Sequence, residues 1–313
     1  MRKLALALAA SVFVLSGAAS ASAGEIAVIV KTVNSTFWQN VQKGADAAIG
    51  KQKAHTMTFQ GPAAESAIAD QVNMVENAVN RKVDAILLAP SDPDALVPAV
   101  KKAWEARIPV VIIDSMLSKD AEKYYQAFLA TDNKAAGELA AKALIEKVGT
   151  QGKIAVMSYV AGAGSEIGRV GGFTDYIKAN SKLEIVGPFY SQSQMATALN
   201  QTTDVLAANA DLKGIFGANE PTAIGMGRAI KQAGKAGKIT AIGFDGNQDL
   251  QEFVEDGTLE ATVVQGSYQM GEKGVDTLLK LLNKEKVEKF IDTGVVVVTK
   301  QNIDKPEAKN VLY

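Results

Sequence analysis

Short apolar runs of strand length alternate with stretches of helical period along most of the chain, and this alternation limits the available folds more than any other feature. Ile26–Val30 is the first run. Phe37, Val41, Ala45, Ala48 and Ile49 then recur at helical spacing, with Asn34 and Ser35 in front as capping candidates. His55–Phe59 reads as the next strand, Ile68, Val72, Val75 and Val79 as a helix face, and Ala85–Ala89 as a strand ended by Pro90. A helix over 93–106 leads to a strand at Val110–Ile113, closing at Asp114. After a helix over 133–148 the order returns, with strands at 153–158, 183–186, 213–217, 239–243 and 259–264. The helices between them fall at 165–179, 195–209, 222–233 and 248–256. Strands separated by helices of about 10–15 residues imply parallel sheets covered on both faces. The chain therefore reads as two doubly wound parallel-sheet α/β domains. A further helix, Met270–Leu282, and strand, Val295–Thr299, follow two complete halves, which predicts that the chain crosses back between the domains.

Composition narrows the chemistry. The absence of Cys rules out disulfides, thiol catalysis, thiolate metal sites and a lipid-modified N-terminal Cys. A single His, His55, argues against His-based zinc sites, so no metal and no cofactor is expected. Lys and Arg number 33 against 34 Asp and Glu, which gives no reason to expect nucleic-acid binding. The N-terminus has the pattern of a secretory signal peptide. Arg2 and Lys3 precede an apolar stretch from Leu4 to Ala19, and Ala21-Ser22-Ala23 offers the small residues of a cleavage site. Cleavage after Ala23 is expected, leaving a soluble protein in a bacterial periplasm.

In open α/β sheets ligands bind beyond the C-terminal ends of the strands. The residues that follow the strands are Lys31, Ser35, Phe37 and Trp38, then Asp114 and Ser115, then Gly162-Ala163-Gly164-Ser165 with Arg169, then Asn219 with Glu220, then Asp245 and Gln265. Carboxylates and amides accept and donate in pairs to neighbouring hydroxyls, Arg supplies a fork of donors, and aromatic rings cover the apolar face of a sugar. The set suits a small, neutral, polyhydroxylated ligand. Each residue also has a plainer role open to it. Asp114 or Asp245 could only cap a helix, Arg169 could pair with Glu166 on the surface, and Asn219 could be a turn residue before Pro221. Phe37 and Trp38 could be core, although Val41 and Ala45 already supply a buried stripe, so one of the two rings is expected to be displayed.

The segments "IAVIVKTVNSTFWQNVQKGADAA", "AILLAPSDPDALVPAVKKAWEARIPVVIIDS", "GRVGGF", "GIFGANEPTAIGMGRAIKQAG", "ITAIGFDG" and "LEATVVQGSYQMGEKGVDTL" together resemble the ribose-binding-protein type of periplasmic sugar receptor. The resemblance extends over the whole chain after the signal peptide. It implies the periplasmic binding protein type I fold, capture of a monosaccharide or sugar alcohol by hinge closure, and delivery to an ABC transporter permease by a monomer. It places Phe37 and Trp38 where the family stacks rings on sugar, and Ser35 where it often has Asn. Asp114, Arg169, Asn219, Asp245 and Gln265 fall on its ligand-binding positions. Two departures stand out. Ser115 replaces an Arg of ribose binders, and the third aromatic of the ribose pattern gives way to polar residues at Gln192 and Ser193. Lys31 is a further departure, found in some other sugar receptors of this type. These changes point away from ribose, toward a ligand with fewer apolar faces, such as a more hydroxylated or open-chain one. The family's crossing pattern implies one lobe of 24–131 plus 266–294 and a second of 132–265 plus 295–313.

The alternatives belong to other classes. A periplasmic sensor presenting sugar to a chemotaxis or sensor-kinase receptor shares every feature above. An enzyme is less consistent with the sequence. Gly162, Gly164 and Gly168 are spaced one residue too widely for a dinucleotide fingerprint, and no Ser-His or Cys-His pair is available, although Asp114 and Asp245 offer paired carboxylates. Lac-repressor-type regulators share the fold, but carry a helix-turn-helix where this chain has its signal-peptide pattern.

Overall fold

The computed structural model describes residues 23–313, so the signal-peptide pattern at 1–22 lies outside the described residues. The first sheet contains β1 (Gly24–Ile29), β2 (His55–Gln60), β3 (Ala85–Leu88), β4 (Val110–Ile113), β5 (Ala127–Ala130) and β11 (Phe290–Asp292). Its strand order is β11-β5-β4-β3-β1-β2, all parallel. The second sheet contains β6 (Gln151–Ser158), β7 (Lys182–Tyr190), β8 (Leu212–Gly217), β9 (Thr240–Phe244), β10 (Ala261–Gln265) and β12 (Val295–Thr299). Its order is β12-β10-β9-β8-β6-β7, and β12 runs antiparallel to β10 at the edge. The first lobe carries α1 (Thr36–Ile49), α2 (Ile68–Arg81), α3 (Val97–Glu105) and α9 (Ser267–Leu282). The second carries α4 (Asn133–Val148), α5 (Gly164–Asn180), α6 (Met195–Ala208), α7 (Glu220–Gln232), α8 (Gln248–Glu255) and the short α10 (Pro306–Lys309).

Apolar burial explains why the strands read as continuous apolar runs. In β1, Ile26 and Val28 pack into one cluster with α1 and α9, while Ala27 and Ile29 pack into another with α2 and α3. The second sheet likewise has a cluster on each face. A strand buried on both sides leaves no polar alternation to read.

The chain passes from the first sheet to the second between Ala130 and Asn133, returns between Gln265 and Ser267, and crosses again between Asp292 and Val295. These hinge segments are tied together. Thr131 Oγ1 donates to the Gly294 carbonyl at 3.1 Å and Thr293 N to the Ala130 carbonyl at 3.1 Å. Gly266 allows the return crossing, since a Cβ there would sit 2.2 Å from the Thr293 carbonyl oxygen. The last residue touches both lobes. Tyr313 packs against the apolar cluster of the first lobe, although its backbone N–H is held by Gly246 of the second.

Other differences have local causes. The helix expected from 93 begins at Val97, because the Asp92 carboxylate takes the N–H groups of Asp94 and Ala95 and holds the segment as turns. The strand expected to end at Val186 continues to Tyr190. It is an edge strand, where Pro188 is tolerated. β5 and β11, together with a 3-10 turn at Lys119–Tyr124, lie outside the expected elements. β5 is four residues long, and β11 is a three-residue edge strand without a buried residue.

Candidate functional site

The C-terminal ends of both sheets face one narrow cleft, about 310 Å³ of space including its mouth. Lys31, Ser35, Phe37, Trp38, Asp114, Arg169, Asn219, Asp245 and Gln265 all line it, as do Glu65, Tyr159, Ser165, Glu220 and Pro221. The expected residues thus converge, with two exceptions. Ser115 is fully buried immediately behind Lys31 and Asp114. Gln192 is exposed and does not line the cleft; its neighbour Ser193 faces the opposite lobe instead.

Lys31, Asp114 and Ser115 form a buried polar knot at one end. Lys31 Nζ lies 2.7 Å from Asp114 Oδ2 and donates to Ser115 Oγ at 2.7 Å, while Ser115 Oγ donates to Asp114 Oδ2 at 2.7 Å. The second lobe joins this knot. Lys31 Nζ reaches Ser165 Oγ at 3.3 Å, and Ser165 N donates to Ser115 Oγ at 3.1 Å. Ser165 Oγ also accepts from Tyr159 OH at 2.9 Å, and burial pushes the Tyr159 phenol up so that it remains a donor. Ser115 thus supplies a hydroxyl that orders Lys31 and Asp114.

Arg169 forms the centre of the second lobe's contribution. It is 2% exposed. Its Nε and Nη2 donate to Asn133 Oδ1 at 3.1 and 2.7 Å, and Nη1 donates to the Ala218 carbonyl at 2.7 Å. The guanidinium lies 3.7 Å from the Phe244 ring centre, a cation–π contact in a desolvated setting. Glu166 does not pair with it; that carboxylate takes Ser158 Oγ and Gly162 N. The helix carrying Arg169 sits unusually close to α4, since a Cβ on Gly137 would fall 2.0 Å from the Arg169 carbonyl oxygen.

Asp245 sits in the left-handed backbone region, φ 79°, with its carboxylate accepting from Glu220 N and Gln265 Nε2, each at 2.8 Å. Burial raises its pKa to about 7, and the Glu220 charge adds to the rise, while Arg169, Gln265 and the Glu220 N–H oppose it. Gln265 Oε1 is buried without a partner, an acceptor left for a ligand hydroxyl. Asn219 serves two purposes. Its Oδ1 caps α7 through Thr222 N, a helix cap rather than the turn before Pro221 that the sequence suggests, and its Nδ2 donates to Ser193 Oγ at 3.0 Å. Ser35 caps α1 through Trp38 N.

Both aromatic residues are buried, with rings edge-on at 4.8 Å, so neither is displayed to solvent; they reach the cleft from within the core. Trp38 Nε1 donates to Glu65 Oε1 at 3.0 Å. Glu65 is not among the residues the sequence singles out, and Glu220 is placed there at a strand end beside Asn219 but not among the ligand-binding positions. Glu65 stands in the small-residue turn after β2, at the same sheet edge as the other strand-end residues, so taking that strand end into account would have found it.

Asp245 gives a pH prediction. The folded protein keeps this proton up to about pH 7, whereas an unfolded Asp releases it near 3.8. Stability from this group is therefore full below about pH 4 and lost as pH rises to about 7. The melting temperature of ligand-free wild type minus that of Asp245→Asn should fall as pH rises from about 4 to about 7 and level off above that. A constant difference would show that the group does not titrate there.

The site's chemistry is that of a neutral polyol receptor. It combines donors and acceptors from two lobes, apolar rings, and two buried cations set against four carboxylates. Known proteins agree. Residues 26–286 match the family model described as periplasmic binding protein domain. The ribose import binding protein RbsB of Escherichia coli (strain K12) is 30% identical over 96% of this chain and 99% of its own length. The D-allose-binding periplasmic protein of the same organism is 30% identical over 89% of this chain and 93% of its own. Among solved structures, an ABC transporter solute binding protein from Agrobacterium vitis with bound D-fucose is 96% identical, with a TM-score of 0.92. That likeness covers 93% of this chain and 100% of the other. A carbohydrate transporter solute binding protein from Agrobacterium radiobacter in complex with D-arabinose is 34% identical, with a TM-score of 0.89 over 94% and 100% of the two chains. With two doubly wound lobes, a sugar-matched cleft between them and a family model spanning most of its length, this chain belongs to the periplasmic binding protein domain family, as a sugar-binding protein of an ABC import system.

Proposed function

We propose that this chain captures a cyclic monosaccharide of the D-fucose type in the cleft between its lobes and delivers it to an ABC transporter permease. The observation that carries the reading is the convergence of Lys31, Asp114, Arg169, Asp245 and Gln265 from both lobes on one cavity. The cavity holds an unpartnered buried acceptor and two aromatic residues. The bound D-fucose of the 96% identical Agrobacterium vitis protein supports it. A deoxyhexose has a ring and a methyl group, which suit Phe37 and Trp38. It speaks against the more hydroxylated or open-chain ligand suggested by the polar residues at Gln192 and Ser193. Those residues are accounted for otherwise, since Ser193 is engaged across the lobes.

In this reading Lys31, Asp114 and the rings grip the sugar from the first lobe, and Arg169, Asn219, Asp245 and Gln265 from the second. The lobes comprise 24–131 with 266–294 and 132–265 with 295–313, hinged at Thr131, Gln265 and Gly294. The protein acts as a monomer in the periplasm after cleavage behind Ala23. The test is thermal melting of protein refolded free of co-purified ligand, against D-fucose, D-galactose, D-arabinose, D-ribose, D-allose and inositols. At a sugar concentration of 100 Kd, binding adds about 2.7 kcal/mol of stability. A shift of several degrees with D-fucose and little with inositols is expected. No shift with any sugar would overturn the reading.

A further inference from the structure

The sugar cleft is separated from a wider outer groove between the lobes. The two spaces share Ser35, Glu65, Glu220 and Pro221, whereas Thr36 and Ser193 line the groove alone. Two hydrogen bonds cross from lobe to lobe at this partition. Thr36 Oγ1 of the first lobe donates to Glu220 Oε2 of the second at 2.7 Å. Ser193 Oγ of the second donates to Glu65 Oε2 of the first at 2.6 Å. Each lobe thus gives one carboxylate and one hydroxyl. Each carboxylate is also held by an aromatic donor, Glu65 by Trp38 Nε1 at 3.0 Å and Glu220 by Tyr313 OH at 2.9 Å.

Both carboxylates are buried, Glu65 to 8% and Glu220 to 3% exposure. A carboxylate removed from water must be hydrogen-bonded, and here part of the bonding comes from the facing lobe. The Glu220 side takes in a helix end. The first turn of α1 has no acidic residue of its own; burial raises the pKa of the Glu220 carboxyl brought to it from the other lobe, and the hydroxyls of Thr36 and Tyr313 with the backbone N–H groups of Phe37 and Thr36 oppose that rise. The Glu65 side rests on a costly turn. Gln192 and Ser193 both have positive φ, 57° and 55°, which non-glycine residues adopt only where the surroundings impose it. Asn219 Nδ2 donates to the same Ser193 Oγ, linking this contact to a residue that lines the cleft.

We infer that the Thr36–Glu220 and Ser193–Glu65 hydrogen bonds are a paired latch that seals the cleft from the groove and sets the rate at which bound sugar leaves. Thr36 and Ser193 act as positioning residues, through the carboxylates and not through the sugar. The inference rests on the cleft being the sugar site, so its test has one arm with D-fucose and one without ligand.

In the first arm, stopped-flow fluorescence with D-fucose compares wild type with Thr36→Val, Ser193→Ala and the double variant. A hydrogen bond to a charged group governs dissociation here, so each single variant should raise koff about tenfold and leave kon within about twofold. Thr36→Ser, which keeps the hydroxyl, should restore the wild-type rate. Ser193→Gly suits the turn's backbone and should behave as Ser193→Ala does, which separates loss of the latch from loss of folding. Unchanged koff in both single variants, or a fall in kon with koff unchanged, would overturn the latch. In the second arm, labels on cysteines introduced at exposed Lys53 and Lys238, one per lobe, report lobe separation in the sugar-free protein, which has no Cys of its own. Both variants should lower the closed, short-separation population of the sugar-free protein; a closed population equal to wild type would overturn the latch even if D-fucose proves not to be the ligand.

Discussion

Replacing Arg169 by Ala should weaken D-fucose binding about a thousandfold, since truncating a buried, hydrogen-bonded charge costs roughly 2–5 kcal/mol and each 1.4 kcal/mol is tenfold. Three effects combine. The cleft loses its fork of donors. Asn133 Oδ1 and the Ala218 carbonyl lose the guanidinium they accept from. Asp245 loses the cation that holds its pKa down, so more of it remains protonated at neutral pH. Calorimetric titration measures the loss. Arg169→Lys separates charge from geometry. It keeps a cation but cannot reach Asn133 and Ala218 with a planar fork, so it should bind with intermediate affinity. Arg169→Lys at wild-type affinity would show that the fork is not used.

Lys31→Met should have the largest effect on stability. Lys31 and Asp114 pair at 2.7 Å with side chains only 4% and 5% exposed. Methionine of similar length leaves the Asp114 carboxylate buried with Ser115 Oγ as its remaining close side-chain donor. Breaking a buried pair from one side costs about 3–5 kcal/mol, which lowers the melting temperature by on the order of 10 °C in a lobe of this size. The double variant Lys31→Met with Asp114→Asn should recover much of that loss, because no charge is left unpaired, yet it should not recover sugar binding. Equal melting temperatures for the single and double variants would contradict this account of the pair. Lys31 also contacts Ser165 across the lobes, so the stability and closure effects share one residue.

The sequence made the lobes legible because the core strands are buried on both faces and the helices between them have strong periodicity. What it hid was short and marginal. β11 has three residues and none buried, and β5, as short as β3 and β4, has no helix before it to mark it in the alternation, only the 3-10 turn at Lys119–Tyr124. The candidate site was legible at strand ends, where Lys31, Asp114, Arg169, Asn219, Asp245 and Gln265 converge on one cavity. The contacts between the lobes were not. Glu65 and Ser193 are 128 residues apart and Thr36 and Glu220 are 184 apart, and nothing in local pattern pairs them. Gln192 was expected in the site on the strength of a missing aromatic. The turn that carries it presents Ser193 to the opposite lobe and leaves Gln192 in solvent. Trp38 resolves the choice between core and site by being both, a buried ring at the cleft whose N–H positions Glu65.

The central claim is that a monosaccharide binds between the lobes and holds them together. Small-angle scattering of the purified protein, with and without saturating D-fucose, tests it most directly when the same sample is titrated by calorimetry. The account predicts binding of one sugar per chain and a smaller radius of gyration in its presence, with both changes absent in Arg169→Ala. Binding with an unchanged radius, or no binding of D-fucose or any other monosaccharide, would contradict it.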